Sequence, residues 1–131
     1  THVFNISWTG AVANLWIDST NLGSINITSD YRIKQKIETQ TASALDRIAK
    51  LRAVVYELAD AGIFKADGVE REGFIAHELQ AIIPSAVDGE KDAEDKNGVM
   101  QLQSIQPMPL IAVLVKALQE LTARVEALEA I

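Results

Sequence analysis

The stretch "TSDYRIKQKI", residues 28–37, stands where the chain changes character. Residues 1–28 hold one charged side chain, Asp18, whereas the rest of the 131-residue chain holds all 12 Lys and Arg and the other 17 of the 18 acids. Upstream of Ser29, "HVFNISWTG" and "NLWIDST" are rich in β-branched and aromatic residues, and "GSINIT" alternates small polar residues with Ile. Gly10, Asn21 and Gly23 punctuate these runs, so the segment reads as strands and turns. Downstream, Ile48, Leu51, Val55 and Leu58 recur at spacings of three and four, Ser43 with Asp46 resembles a capping box, and Gly62 offers a stop. This pattern predicts a helix over about 43–61.

Within the quoted stretch, Ser29 and Lys34 are five residues apart. In a regular helix that spacing separates side chains by about 140°, and in a strand it puts them on opposite faces. A helix start brings them together. With Asp30 as N-cap, Ser29 precedes the cap and Lys34 is the fourth helical residue, the two positions that meet in a hydrophobic staple. A serine hydroxyl becomes a useful nucleophile only when a base takes its proton, and a lysine does so only as the neutral amine. Burial or neighbouring cations favour that form, and Arg32 and Lys36 are near in sequence. The free amides of a helix start are also suited to an oxyanion at the carbonyl before the cap. Ser-Asp at a helix start is above all a capping sequence, so the residues alone favour a cap over a Ser-Lys dyad while leaving both open.

Composition narrows the remaining classes. A net charge of −6 and the absence of basic clusters argue against nucleic acid or an anionic membrane as partner. There is no cysteine, hence no disulfide frame, thiolate nucleophile or zinc-thiolate site. No apolar run approaches a membrane span and no signal-peptide pattern opens the chain, so a soluble domain is expected. No metal or other cofactor is expected either. "HELQA" begins like a zinc-protease motif, but Ala81 occupies the place of the second histidine. The acidic run Asp88–Asp95 lacks the glycine and terminal glutamate of a calcium loop. Asn5-Ile-Ser7 and Asn26-Ile-Thr28 match the glycosylation sequon, a pattern short enough to arise by chance.

The middle of the chain is mixed. "IFKADG" and "EGFIA" read as short strands about an Asp67-Gly68 turn, and "HELQAII" as a short helix ended by Pro84. "DGEKDAEDKNG" reads as a solvated loop closing on an Asn97-Gly98 turn. Phe74, Ile75 and Tyr31 are expected in the core. From Pro109 onward, Ile111, Leu114, Leu118, Leu121, Val125 and Leu128 follow at spacings of 3, 4, 3, 4 and 3, nearly three heptads. The expected fold is α+β: a β segment over 1–29, then a mainly helical domain over 30–131 with short strands and a coiled-coil-like helix over 109–131. A chain this short has little else to cover the heptad stripe, so an intermolecular bundle is expected.

The order "SDYRIK", then "EGFIAHEL" with "IP" and "AV" close behind, then "GVMQLQSIQPMPLIAVLVKALQEL" resembles the intramolecular chaperone auto-processing domain at the C-terminus of phage tail spikes and tail fibres, the endosialidase type. The likeness covers about residues 22–131. It implies a homotrimer that helps the upstream β-rich fibre of the same polypeptide to fold, then cuts itself off through Ser29 and Lys34. The implied cut is at Ser29–Asp30, where the composition changes. The implied setting is the host cytoplasm during phage assembly, with the fibre part left in the virion tail. The position of His77 is more often glutamine in the family, so His77 and Arg32 stand only as possible supporting residues, and a protruding arm is implied for the acidic loop. Attack by Ser29 Oγ on its own carbonyl would need a four-membered ring. Attack on the Thr28 carbonyl, attack by a neighbouring chain's serine, and attack by the Asp30 carboxylate all remain open. The alternative from another class is a trimerisation module that caps a helix with Ser29 and cuts nothing.

Overall fold

The computed structural model describes residues 1–41 and 43–131. Strands β1 (Phe4–Trp8), β2 (Ala13–Ile17) and β3 (Thr20–Ile25) form an antiparallel sheet in that order, as the β-branched and aromatic runs predict. The punctuation differs from expectation. Gly10 does turn β1 into β2, at φ +96°. Between β2 and β3 the turn residue is Asp18, at φ +52°, with its carboxylate accepting from the Val3 amide and Ile17 facing Thr20 across a two-residue hairpin. Asn21 and Gly23 lie inside β3. Gly23 is needed there because a Cβ at its φ of +122° would sit 2.5 Å from Ser104 Cβ. The glycine marks a close approach of another strand rather than a turn. Phe4, Ile6 and Trp8 share one face of this sheet with Ala13, Leu15 and Ile17, and all three β1 residues are largely exposed in the single chain.

The helix expected over 43–61 is cut short. Helix α1 covers only Ala44–Ala49, and Val54–Tyr56 forms β4, paired antiparallel with β5 (Arg71–Gly73). Local spacing favoured helix, but Val54, Val55 and Tyr56 also suit a strand, and the partner that decides between them lies 15 residues downstream. Ile48 and Leu51 still pack on the core, whereas Val55 is exposed. Gly62 belongs to a tight turn in which Ala61 and Phe64 exchange backbone hydrogen bonds, so "IFKADG" is a turn and not a strand. The Asp67-Gly68 turn is present, with the Asp67 carboxylate accepting from the Val69 amide and Gly68 at φ +68°.

Helix α2 (Ala76–Gln80) is the short helix expected, and Pro84 opens a 3-10 turn over Pro84–Ala86. Strands β6 (Val87–Asp88) and β7 (Ser104–Ile105) pair across the acidic loop. That loop is folded back on itself. Asp95 accepts from the amides of Asn97 and Val99, Gly98 turns at φ +78°, and Glu94 pairs with Met100.

Helix α3 (Pro107–Glu129) begins two residues before the expected start, with Pro107 in the first turn, where a missing N–H costs nothing. It carries two apolar stripes. Leu110, Val113 and Ala117 are buried against Ala44, Leu79, Ile83, Ala86 and Val87, with Ile48 and Phe74 packed around them. The heptad stripe is displaced by one residue, about 100° around the helix, and all six of its members are exposed. Tyr31, expected in the core, is also exposed, whereas Phe74 packs as expected. The described chain is thus mixed α and β, with small antiparallel sheets and a long C-terminal helix, and no described helix is long and apolar enough to cross a membrane.

One long-range contact fixes α1. Ser43 does not cap the helix; its hydroxyl donates to Asp46 instead, at 2.9 Å. The free amides of Ala44 and Leu45 donate to the Glu120 carboxylate on α3, at 3.0 and 2.8 Å. These two bonds, Leu45 first, hold the Glu120 carboxyl below its ordinary 4.5. Because the folded-state pKa is the lower one, the stabilisation is complete above the unfolded value and is lost as pH falls through the folded value. Glu120→Gln is therefore expected to lower the melting temperature at neutral pH by on the order of 5 °C and to flatten the acid limb of a melting-temperature profile as pH falls from the ordinary 4.5 through the lowered folded value. Thermal melts of parent and variant across that range check both.

Candidate functional site

Ser29 and Lys34 meet. Lys34 Nζ donates to Ser29 Oγ at 2.5 Å. The element that brings them together is smaller than a regular helix start: a 3-10 turn over Tyr31–Ile33, with Asp30 as its N-cap as expected. Lys34 is not a fourth helical residue but closes the turn. Its amide donates to the Tyr31 carbonyl at 3.1 Å and its backbone is already extended, at φ −114° and ψ 145°. The extended backbones of Asp30 and Lys34 on either side of one tight turn return the chain toward Ser29, which a longer helix would carry away.

The neighbours are arranged differently from expectation. Arg32 does not face Lys34 as a helping cation; its Nε and Nη2 each donate to Asp30, at 3.0 Å. The Arg32 amide donates to the same carboxylate at 2.8 Å, so this amide serves the cap rather than an oxyanion. The guanidinium first, then the amide, hold the Asp30 carboxyl below its ordinary value, and the Asp30 carboxylate in turn raises Arg32. With both oxygens accepting hydrogen bonds, Asp30 is a poor nucleophile, which weakens that one of the open routes. Lys36 sits in the left-handed region, at φ +55°. His77 is exposed on α2, outside the walls of the cleft that holds the pair.

That cleft, of about 480 Å³, is lined by Asn26 to Ser29 and Lys34 on one side and by Gln106 to Pro109 with Ala112 on the other. The start of α3 is the wall that sequence reading missed. Its Pro-x-Pro marks a helix start, but nothing local shows that residues 77 positions downstream of Ser29 lie beside it. Around the pair, Ile27, Tyr31, Ile33 and Ile37 are all largely exposed. Among the described residues no group of three or more His, Cys, Asp or Glu is placed to hold a metal ion.

Residues 29–88 match the peptidase S74 family, described as chaperone of endosialidase. The chain is 34% identical over 110 residues to long tail fiber protein Gp37 of Enterobacteria phage K3 and to that of Enterobacteria phage T2, covering 83% of this chain and 8% of each fibre protein. It is 43% identical over 70 residues to myelin regulatory factor homolog 1 of Caenorhabditis elegans, covering 50% of this chain and 8% of that protein. The chain thus spans less than a tenth of the length of these curated relatives. Residues 29–88 thus match the endosialidase-chaperone family, and the chain carries a chaperone-type domain of the phage tail-fibre kind.

The turn that joins the pair depends on the cap. Asp30→Ala removes the acceptor for the Arg32 amide, and hydrogen exchange at Arg32 and Lys34 is expected to quicken by roughly tenfold, in keeping with the loss of a capping bond. Exchange outside the turn, residues 31–34, should stay as it is.

Proposed function

We propose that this chain ends a phage tail fibre and is a self-releasing assembly chaperone: residues 30–131 trimerise, assist the folding of the upstream β-rich fibre, and are cut away at Ser29–Asp30. The observation that carries the reading is the Lys34 Nζ to Ser29 Oγ hydrogen bond, which links the two residues at the start of the family match. The relatives named as long tail fibre proteins supply the fibre context. Assembly takes place in the host cytoplasm, and the fibre part stays in the virion tail.

Trimerisation rests on surfaces that one chain leaves bare. The heptad stripe of α3 is exposed throughout, and residues 121–131 have no buried side chain at all. An isolated helical segment that short is marginal in water, so the end of α3 needs partners. Ile27, Tyr31, Ile33 and Ile37 flank the Ser-Lys pair and are equally uncovered. A trimer covering both would desolvate Lys34 and favour its neutral amine, making cutting conditional on assembly. The benefit to the fibre follows from topology. A β-rich trimer must bring three chains into register, and a bundle that associates first turns that encounter into a tethered one. Removal of the bundle then leaves a product whose stability is kinetic.

In the reaction, neutral Lys34 takes the Ser29 Oγ proton. That Oγ attacks the Ser29 carbonyl carbon of a neighbouring copy, whose Ser29–Asp30 C–N bond breaks. The Asp30 nitrogen takes the proton from the lysine and leaves as an amine, and water then hydrolyses the ester. Attack within one residue is excluded by ring strain.

Two tests follow. Intact mass of the chain expressed with its upstream fibre is expected to show a fragment beginning at Asp30 for the parent, with Ser29→Ala and Lys34→Ala both uncut. A fragment beginning at Ser29 would mean an acyl shift from Thr28 within one chain, and parent and variants alike whole but trimeric would leave a non-cleaving trimerisation module. Separately, Leu118→Asp with Leu121→Asp is expected to turn a trimer into a monomer by sedimentation, to keep the α1–α3 core folded, and to slow release by at least about tenfold.

A further inference from the structure

The proposed cut divides two parts that are hydrogen-bonded to each other well away from Ser29. Along β3, the Asn21 amide donates to Gln101 Oε1 at 3.3 Å, and Gln101 Nε2 donates to the Ser19 carbonyl at 3.1 Å. Gly23 then lies directly on Ser104 of β7. The last contact is a three-residue cluster. Gln106 Nε2 donates to Asp88 Oδ2 at 2.7 Å, to Ser24 Oγ at 3.0 Å and to the Ser24 carbonyl at 3.2 Å, while Ser24 Oγ donates to Asp88 Oδ2 at 2.7 Å. The proton arrangement is self-consistent. The serine hydrogen goes to the carboxylate, which leaves the hydroxyl lone pairs for the amide, and the two amide hydrogens are shared among three acceptors.

The cluster is anchored on the chaperone side. The Gln106 backbone amide donates to the Ala86 carbonyl at 2.7 Å, Ala86 is fully buried, and Asp88 belongs to the paired strand β6. Ser24 belongs to the upstream side, next to last in β3 and five residues before Ser29. From Gln106 the chain enters α3, whose first residues form the wall facing Asn26 to Ser29. The hydrogen-bonded residue and the wall are therefore consecutive in sequence. Docking Ser24 sets where segment 26–29 can lie, and no other polar side-chain contact joins residues 25–29 to α3 among the described residues.

We infer that Ser24, Asp88 and Gln106 are positioning residues that seat β3 on the start of α3 and thereby hold residues 26–29 in the cleft where Lys34 meets Ser29. Cutting is coupled in this way to the docking of the last upstream strand, within each chain and separately from association of the α3 helices. The inference rests on the self-cleavage reading for its consequence, but its structural half stands without it.

The test uses the full fibre chain with two readouts. In the Ser29→Ala background, which stays whole, hydrogen exchange of amides 26–29 is expected to speed up when Gln106→Leu is added, because leucine keeps the volume and lacks the amide. In the otherwise unmodified chain, Gln106→Leu is expected to slow fragment release by roughly tenfold or more, with helicity and oligomeric state as in the parent, since a misplaced reacting group is costly even when the fold is intact. The reciprocal pair Gln106→Glu with Asp88→Asn exchanges donor and acceptor and is expected to restore release. Ser24→Ala, which removes a smaller group, gives the same comparison if Gln106→Leu does not fold. Unchanged exchange at 26–29, or release at the parent rate despite faster exchange, overturns the inference. A parent chain that is never cut overturns the self-cleavage reading instead, and the exchange comparison then decides the clasp alone.

Discussion

Glu120 reaches from the middle of α3 to the first two amides of α1, and the core is arranged around that contact. A six-residue helix has too few internal hydrogen bonds to persist by itself, so its ends must be satisfied from outside. Here the carboxylate satisfies two of the orphan amides, places negative charge at the positive end of the helix, and fixes how α1 lies along α3. Leu110, Val113 and Ala117, one to three turns before Glu120, are thereby held on Ala44, Leu79 and Ile83. Which face of α3 is inside decides which face is outside.

The face left outside is the heptad stripe. A helix with two apolar stripes separated by one residue cannot bury both within a domain this small, and the shorter, smaller-residue stripe is the one that fits the close approach of α1. The longer stripe continues past the last covered residue toward the C-terminus. In the proposed assembly the inner stripe makes each subunit and the outer stripe joins the three. The uncovered Ile27, Tyr31, Ile33 and Ile37 extend the same unfinished surface to the neighbourhood of Ser29. The hydrogen bonds that join the β sheet to the rest of the chain are of the opposite kind, made by amide, hydroxyl and carboxylate groups. Such contacts are individually modest, and they hold well while the two parts share one chain and poorly once they are separate molecules.

Several elements were legible because their signal is local. The three N-terminal strands follow from β-branched and aromatic runs, the Asp67-Gly68 and Asn97-Gly98 turns from residues that accept a positive φ, and α3 from an apolar repeat sustained over three turns and more. The failures share a cause. Residues 43–61 have a helical spacing and a strand-compatible composition at once, and β5 selects the strand. Gly23 is a turn residue by composition and a contact residue by virtue of Ser104. Tyr31 is core-like by type and stays largely exposed in the single chain.

The sequence by itself determined the division into an almost uncharged β segment and a charged α+β remainder, the cap at Asp30, and a spacing that allows Ser29 and Lys34 to meet about that cap. All of these arise from interactions within a few residues, where spacing and side-chain type are sufficient. Only the tertiary structure decided that the turn is 3-10 rather than α, that Arg32 serves Asp30 and not Lys34, and that the start of α3 walls the cleft through Gln106. Those outcomes depend on groups competing for the same hydrogen bonds, or on partners up to 82 residues apart, as Ser24 and Gln106 are. Local periodicity carries no information about which distant group will win.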